Sequence, residues 1–299
     1  MFDVVILTDN RYVNPEKVDW YTQQVLDEDG LLQTALESKG LKVCKKDWAD
    51  KNFNWTTTKY AIFRTTWDYF ERFEEFFTWL ENTKNKTIFI NSSEIINWNI
   101  DKHYLQDLQK NGINIAPTLF TEKGDKITLA ELFEKTNWTE VVIKPAISGA
   151  ARHTYRINPS SCHKHENIFQ QLIKEESMLY QEFLYNITIE GEISLIMIGG
   201  KFTHAVKKIA KKGDFRVQDD HGGRVEKYSA SKQEILFAKD CLAACPFSPM
   251  YARVDIVYDN NNKLSLCELE LIEPELWFRN CPGSADLLAE EVIKLILSK

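Results

Sequence analysis

No apolar stretch in the 299-residue chain approaches the roughly 20 residues that a helical membrane span needs. The start, residues 1–10, has neither the basic flank nor the long apolar centre of a secretory signal. These absences predict a cytoplasmic protein without membrane contact. Positive charge is not in excess either: 37 Lys and Arg against 44 Asp and Glu give a net charge of -7, which argues against nucleic-acid coating and favours small-molecule chemistry. Cys-x-x-Cys is missing. The six cysteines, at 44, 162, 241, 245, 267 and 281, read as reduced core or surface residues, and Cys162, His163 and His165 as a solvated turn rather than a metal site. Repeats and low-complexity tracts are absent. What remains is a globular composition, 43% hydrophobic and 27% charged, sufficient for two or three packed modules.

The first third alternates between two periods. Residues 4–7, 41–44, 60–63 and 87–90 read as buried strands, and 26–39 and 71–80 as helices, the first ended by Gly40. Such alternation makes an α/β layer whose ligands meet the carboxyl ends of the strands. No Gly-x-Gly-x-x-Gly follows the first strand to mark a dinucleotide site there. The pattern changes between Asn97 and Asp101. Beyond helices expected at 101–110 and 130–136, strands dominate, at 140–144, 153–157, 178–183, 192–198, 202–208, 251–258 and 264–271, interrupted by helices at 166–175, 232–244 and 284–297. Neighbours joined through Gly199-Gly200 or Asn260-Asn261-Asn262 indicate antiparallel pairing, and the whole an α+β architecture.

Three segments carry chemistry. In Val141-Val142-Ile143-Lys144-Pro145-Ala146-Ile147-Ser148-Gly149-Ala150-Ala151, a lysine ends an apolar strand and a loop of small residues follows. Backbone N–H groups of such a loop approach phosphate oxygens while the ammonium supplies a point charge. It is no Walker loop, because Lys144 precedes the small residues; an ordinary strand-end lysine and hairpin is the competing reading. In the second segment, Arg253 and Asp255 share one face of a strand, and Glu268 and Glu270 share one face of the next. Paired through the intervening turn, they bring three carboxylates and a guanidinium together, and divalent cations such as Mg²⁺ are the usual relief of that repulsion. A solvent-facing hairpin balanced by Lys263 is the alternative, opposed by the apolar other face. The third segment, residues 204–223, is a basic stretch running through Gly213-Asp214-Phe215-Arg216 to Gly222-Gly223. It reads as a mobile loop that carries Lys208 and Arg216 to an anion and closes over it, against a merely solvated charge run, the assignment given to Lys211 and Lys212.

With these segments in place the chain resembles an ATP-grasp ligase over nearly its whole length. The resemblance implies an α+β ATP-grasp fold with an N-terminal α/β (pre-ATP-grasp) domain at 1–98, a small lid subdomain at 99–184 and a C-terminal subdomain with the metal and phosphate site at 185–299. It implies that Lys102, in Asn99-Ile100-Asp101-Lys102, and Lys144 face the phosphates of ATP, with Ser148, Gly149 and Ala150 in the flexible loop. Glu182, Phe183 and Leu184 match the hinge that reads adenine, Glu192 the ribose-binding acid, and Asp255, Glu268 and Glu270 the metal ligands. Glu270 stands where the family commonly has Asn, which keeps an oxygen ligand and adds charge. Arg253 falls on the arginine facing the transferred phosphate and acyl group. The Gly213 to Gly223 pattern resembles RimK-type glutamate ligases and prokaryotic glutathione synthetases. Arg64-Thr65-Thr66-Trp67-Asp68-Tyr69 and Glu270-Leu271-Ile272-Glu273-Pro274-Glu275-Leu276 look closer to the D-cycloserine ligase group of the DcsG type, and the usual Asn-x-x-Pro-Gly ending is absent.

The expected activity is ATP-dependent carboxylate–amine ligation, forming an amide-type C–N bond through an acyl phosphate on a small amino-acid-like substrate. The cofactors implied are ATP and Mg²⁺, two ions, with Mn²⁺ as a substitute. Small-molecule carboxylate and amine partners follow, without nucleic acid, in a monomer or homodimer. A non-catalytic ATP-binding regulator and a small-molecule kinase on the same fold are the alternatives. Arg253, Arg216 and Lys208 are the expected catalytic cations. Arg64, Trp67 and Asp68, at the carboxyl end of the third strand, are candidates for substrate binding, unless Arg64 and Trp67 only stabilise a domain junction.

Overall fold

The computed structural model describes residues 1–217 and 222–298. In the first third, β1 (Phe2–Thr8), α1 (Trp20–Ser38), β2 (Val43–Asp47), β3 (Thr58–Thr65), α2 (Phe73–Thr83) and β4 (Ile88–Ile90) follow one another. The four strands form a parallel sheet in the order β2-β1-β3-β4. Alternation along β1 sends Val4 and Ile6 to one core with Leu32 and Leu36 of α1, and Val5 and Leu7 to another with Phe76 and Leu80 of α2. Helix α1 starts well before residue 26, because Asp19 caps it by accepting from the Thr22 N–H at 2.8 Å. Strand β2 lies later than residues 41–44, in register with Val4 to Thr8.

The middle third contains α3 (Ser93–Asn99), α4 (Tyr104–Lys110), β5 (Thr118–Thr121), α5 (Leu129–Thr136), β6 (Val141–Pro145), β7 (Tyr155–Ile157), α6 (Cys162–Glu175) and β8 (Met178–Glu182). Its sheet is antiparallel, ordered β5-β8-β6-β7. A capping box between Thr128 and Glu131 starts α5. The short α3, not expected from the sequence, buries Ile95 and Ile96. Cys162, His163 and His165 open α6 and are not a turn, and among the described residues no three His, Cys, Asp or Glu side chains are grouped to hold a metal ion.

The last third runs α7 (Asn186–Ile189), β9 (Glu192–Ile198), β10 (Lys201–Ile209), β11 (Arg224–Tyr228), α8 (Lys232–Ala243), β12 (Tyr251–Tyr258), β13 (Leu264–Glu270) and α9 (Gly283–Leu297). These strands form an antiparallel sheet, β11-β10-β9-β12-β13. The edge strand β11, unexpected from the sequence, is Arg-Val-Glu-Lys-Tyr with no buried residue, so no apolar run betrays it. Strand β9 is buried throughout: Leu195 and Met197 enter one core, while Ile196 and Ile198 join Val4, Ile6, α1 and α9 in another. The first and last thirds thus share an apolar core, which fixes the end of β3 against the chain leaving β13. Among the described residues no helix is long and apolar enough to cross a membrane.

Candidate active site

Two cavities meet where β13 ends. The smaller, about 170 Å³, runs between the two antiparallel sheets and is lined by Lys144, Glu182, Phe183, Leu184, Glu192 and Arg216 among others. The larger, about 250 Å³, opens toward the parallel sheet, with Arg11, Tyr12, Tyr21, Trp67, Glu273 and Trp277 in its wall. Lys102, Ser148, Gly149, Ala150, Glu268 and Glu270 line both.

Lys102 ties this junction together. Its Nζ donates to the Ser148 carbonyl at 2.6 Å and lies 3.1 Å from Glu268, while its backbone N–H donates to the Ala146 carbonyl at 3.0 Å. The loop it holds needs small residues: a Cβ on Gly149 would stand 2.5 Å from the Phe70 ring, and Ala150 and Ala151 take the left-handed backbone at φ 48° and 54°. Arg152 braces the far side through Glu176 and the Ile147 carbonyl. On the opposite wall Arg156 lies 3.7 Å from the centre of the Phe183 ring, and the Glu182 and Phe183 N–H groups are spent on the carbonyls of Pro117 and Glu140.

The β12–β13 pairing sets Arg253 opposite Glu270 and Asp255 opposite Glu268. The three carboxylates do converge, and each closes on a cation of the chain. Asp255, 2% exposed, accepts from Arg253 Nη2 at 2.9 Å, from Ser194 Oγ at 2.5 Å and from Lys208 Nζ at 3.2 Å. Glu270 meets Arg253, and Glu192 meets Lys208. Burial opposes ionisation of Asp255, yet Arg253 and Lys208 hold it down at about 2. For Glu268 Lys102 and Lys144 overcome burial and lower it. Glu270 is pushed up to about 8 by burial, which Arg253 offsets only in part while Glu268 adds repulsion. Burial likewise raises Glu192 despite Lys208. Closed on the chain's own cations in this way, the three carboxylates are not grouped to hold a metal ion as they stand; their chemistry, oxygen donors only, is the one a hard divalent cation such as Mg²⁺ takes. Asp255 itself lines neither cavity.

Several expected placements need correction. Lys208 lies in β10, in agreement with the strand expected at 202–208 and not on the closing loop, buried where antiparallel pairing to Glu192 fixes it. Arg216 follows Gly213 into the smaller cavity, with its Nη2 2.7 Å from Asp214. Residues 218–221 of the expected closing segment lie outside the described residues. Arg64 is fully buried and lines neither cavity; its Nη2 donates to the Pro274 carbonyl at 2.9 Å beside Glu28 at 3.6 Å, so it secures the wall rather than touching a ligand. Asp68 is likewise turned away, accepting from Trp48 Nε1 at 2.6 Å and Arg72 at 2.8 Å. Trp67 alone of that trio lines the larger cavity, donating from Nε1 to the Glu273 carbonyl at 3.0 Å. Sequence reasoning missed Arg11, Tyr12, Tyr21, Glu273, Glu275 and Trp277. Arg11 and Tyr12 were within reach, since they follow the carboxyl end of β1, where α/β layers place ligands.

A parallel α/β layer feeding two antiparallel sheets that clasp lysines and carboxylates defines a nucleotide-dependent ligase fold of the ATP-grasp class. The family model for the prokaryotic glutathione synthetase ATP-grasp domain matches residues 102–255, and that for the N-terminal domain of D-cycloserine synthetase DcsG matches residues 4–91. The chain belongs to the ATP-grasp family of the prokaryotic glutathione synthetase type and is an ATP-dependent carbon–nitrogen ligase. Among similar proteins is the cycloserine biosynthesis protein DcsG of Streptomyces lavendulae, 26% identical over 249 residues, 79% of this chain and 82% of the relative. The crystal structure of D-cycloserine synthetase DcsG superposes with a TM-score of 0.85 at 21% identity, covering 97% of this chain and 98% of that one. A RimK-domain ATP-grasp protein from Sphaerobacter thermophilus DSM 20745 gives 0.68 at 13% identity, covering 97% and 99%. ATP-grasp ligases in general use ATP and Mg²⁺.

Proposed function

We propose that the chain joins a small carboxylate and an amine through an acyl phosphate, with ATP in the smaller cavity and the amino-acid-like substrate in the larger. In this reading 1–98 supplies the substrate wall, 99–184 the lid over the nucleotide and 185–299 the metal and phosphate site. A carboxylate oxygen attacks the γ-phosphorus, the bond to the β-phosphate oxygen breaks and ADP leaves. The amine nitrogen then attacks the acyl carbon, phosphate departs with the C–O electron pair, and the nitrogen releases a proton.

Lys144, Lys102 and the N–H groups at 148–150 face the phosphates, residues 182–184 hold adenine and Glu192 the ribose. Asp255, Glu268 and Glu270 would hold two Mg²⁺ ions, with Mn²⁺ able to replace them, to neutralise the phosphate oxygens. Their present partners, Arg253, Lys208 and Lys102, are cations that phosphate and the developing acyl phosphate draw to themselves. Arg216 closes over the anion and excludes water that would hydrolyse the intermediate.

The observation that carries the reading is the junction itself: Lys102, Glu268 and Glu270 line both cavities, so one charge cluster serves nucleotide and substrate alike. Substrate-dependent ADP release, with hydroxylamine trapping the acyl phosphate, is the test. Binding of ATP without turnover would support a regulator instead, and a stable phosphorylated product untouched by hydroxylamine a kinase.

A further inference from the structure

Beyond the junction carboxylates, the larger cavity is lined by Glu71, Glu273 and Glu275, and its cations are Arg11, Lys102, Lys208 and Arg253, of which Lys102 is closed on Glu268 and Lys208 and Arg253 on Asp255. Arg11 is closed on Asp9, Nε at 3.0 Å and Nη2 at 2.7 Å, and Glu275 on Arg279, while Glu71 is exposed. Glu273 differs. It is half-buried, it accepts a hydrogen bond from the Tyr69 hydroxyl, and no cation pairs with it among the described residues; Lys102 acts on it only at longer range. Water exclusion pushes its carboxyl up to about 7, the behaviour of an acid without a counter-charge.

The backbone around it is held from the parallel layer. Trp67 binds the Glu273 carbonyl, Arg64 the Pro274 carbonyl, and Glu28 Oε1 accepts from the Leu276 N–H at 2.9 Å. Trp277 then turns into the left-handed region at φ 47°, 2% exposed, with an indole N–H that has no hydrogen-bond partner among the described residues. A pre-fixed wall showing one uncompensated carboxylate leaves free energy for a ligand to recover.

We propose that Glu273 is a specificity-determining residue that takes the free ammonium of the carboxylate substrate, so that the larger cavity selects amino acids with one carboxylate and rejects both deaminated and dicarboxylic acids. Trp67, Tyr12 and Tyr21 enclose the ammonium's apolar neighbours, and Trp67 adds attraction between ring face and cation. A second carboxylate meets Glu273 as a like charge, and an acid without the ammonium leaves it uncompensated. The inference rests on the ligase reading of this cavity and deepens it.

The full chain with ATP·Mg²⁺ and hydroxylamine as nucleophile is assayed for ADP and hydroxamate with both enantiomers of alanine and serine, with propionate and 3-hydroxypropionate, and with aspartate. The amino acids should exceed the other two classes at least about tenfold in kcat/KM. Glu273→Gln keeps the side chain's size and the Tyr69 hydrogen bond; it should bring those ratios close to one, raising turnover of propionate and aspartate, with KM for ATP unchanged. A gain on poor substrates is not produced by a merely damaged fold. Wild-type indifference to the ammonium, or a Glu273→Gln enzyme that keeps wild-type ratios, overturns the assignment while leaving the ligase reading intact. Absence of ADP release with every acid overturns both.

Discussion

The two cavities that share Glu268 and Glu270 are walled by different kinds of structure. Of the charged groups lining the smaller cavity, the one proposed for the nucleotide, Lys144 sits on β6, Glu182 on β8, Glu192 on β9, and Glu268 and Glu270 on β13, while Lys102 and Arg216 lie outside the strands. Neighbouring ladders fix the spacing of the strand residues. In the larger cavity, the one proposed for the substrate, strand residues Lys208 and Arg253 are joined by segments between the strands, Arg11 and Tyr12 after β1, Trp67 after β3, and Glu273 to Trp277 after β13. Buried polar groups hold these segments: Arg64 and Glu28 from the parallel layer, and from β12 the Tyr251 hydroxyl, which lies within hydrogen-bond distance of the carbonyls of Phe63, Ile90 and Ile272. A strand-built wall suits a constant ligand such as ATP, whereas a wall assembled from loops changes its specificity without disturbing the sheets.

Breaking the shared junction should have the largest effect. Glu268→Gln removes a charge without changing size, and it is expected to lower kcat by about 100- to 1,000-fold with the thermal midpoint nearly unchanged; coupled ADP release and a melting curve on one preparation check it. Near wild-type turnover would make the carboxylate structural. Next comes the clamp on the substrate wall. Arg64→Lys keeps the charge and loses the planar fork, so KM for the carboxylate substrate should rise by about tenfold with KM for ATP within about twofold, read from steady-state kinetics in each substrate.

The same contrast separates what the amino-acid pattern encodes from what it hides. Side chains that alternate faces along two adjacent strands bring Arg253, Asp255, Glu268 and Glu270 together, and the observed register pairs them. Lys208 falls both in the strand expected at 202–208 and in the basic stretch read as a loop; pairing to β9 decides for the strand and buries Lys208 against Asp255 and Glu192. Arg64 reads as a ligand contact because charge at a strand end normally faces a cleft. Here Glu28, from α1, and Pro274, far along the chain, enclose it, and no local pattern encodes contacts at such separation. For the same reason Glu273 and Trp277 carry no local signal of their place in the cavity wall.

A smaller effect is expected at the nucleotide entrance. Arg216→Ala should lower kcat by about fivefold, spare ATP affinity and raise wasted ATP hydrolysis relative to product, while Lys211→Ala, exposed in the same stretch, stays silent. Identical behaviour of the two variants in paired ADP and product assays would reduce the segment to a solvated charge run.

The smallest effect concerns stability. Burial pushes Glu28 up to about 7, with Arg64 only partly opposing, against an ordinary value of 4.5. The folded state therefore binds more protons between these values, so this contribution is complete below about 4.5 and is lost as pH rises through 7. Unfolding free energy from urea titrations should fall from pH 5 to 8 with a contribution from Glu28 of about 1 kcal/mol per pH unit, and Glu28→Gln should flatten that part of the profile.

The separation of the two cavities is tested most directly by calorimetric titration of ATP·Mg²⁺ into the Lys144→Ala and Trp67→Ala proteins. The first removes charge from the strand-built cavity and the second a ring from the irregular wall. ATP affinity should fall by at least about tenfold in Lys144→Ala and stay at the wild-type value in Trp67→Ala. Wild-type affinity in Lys144→Ala, or its loss in Trp67→Ala, would contradict the assignment of nucleotide and substrate to separate cavities.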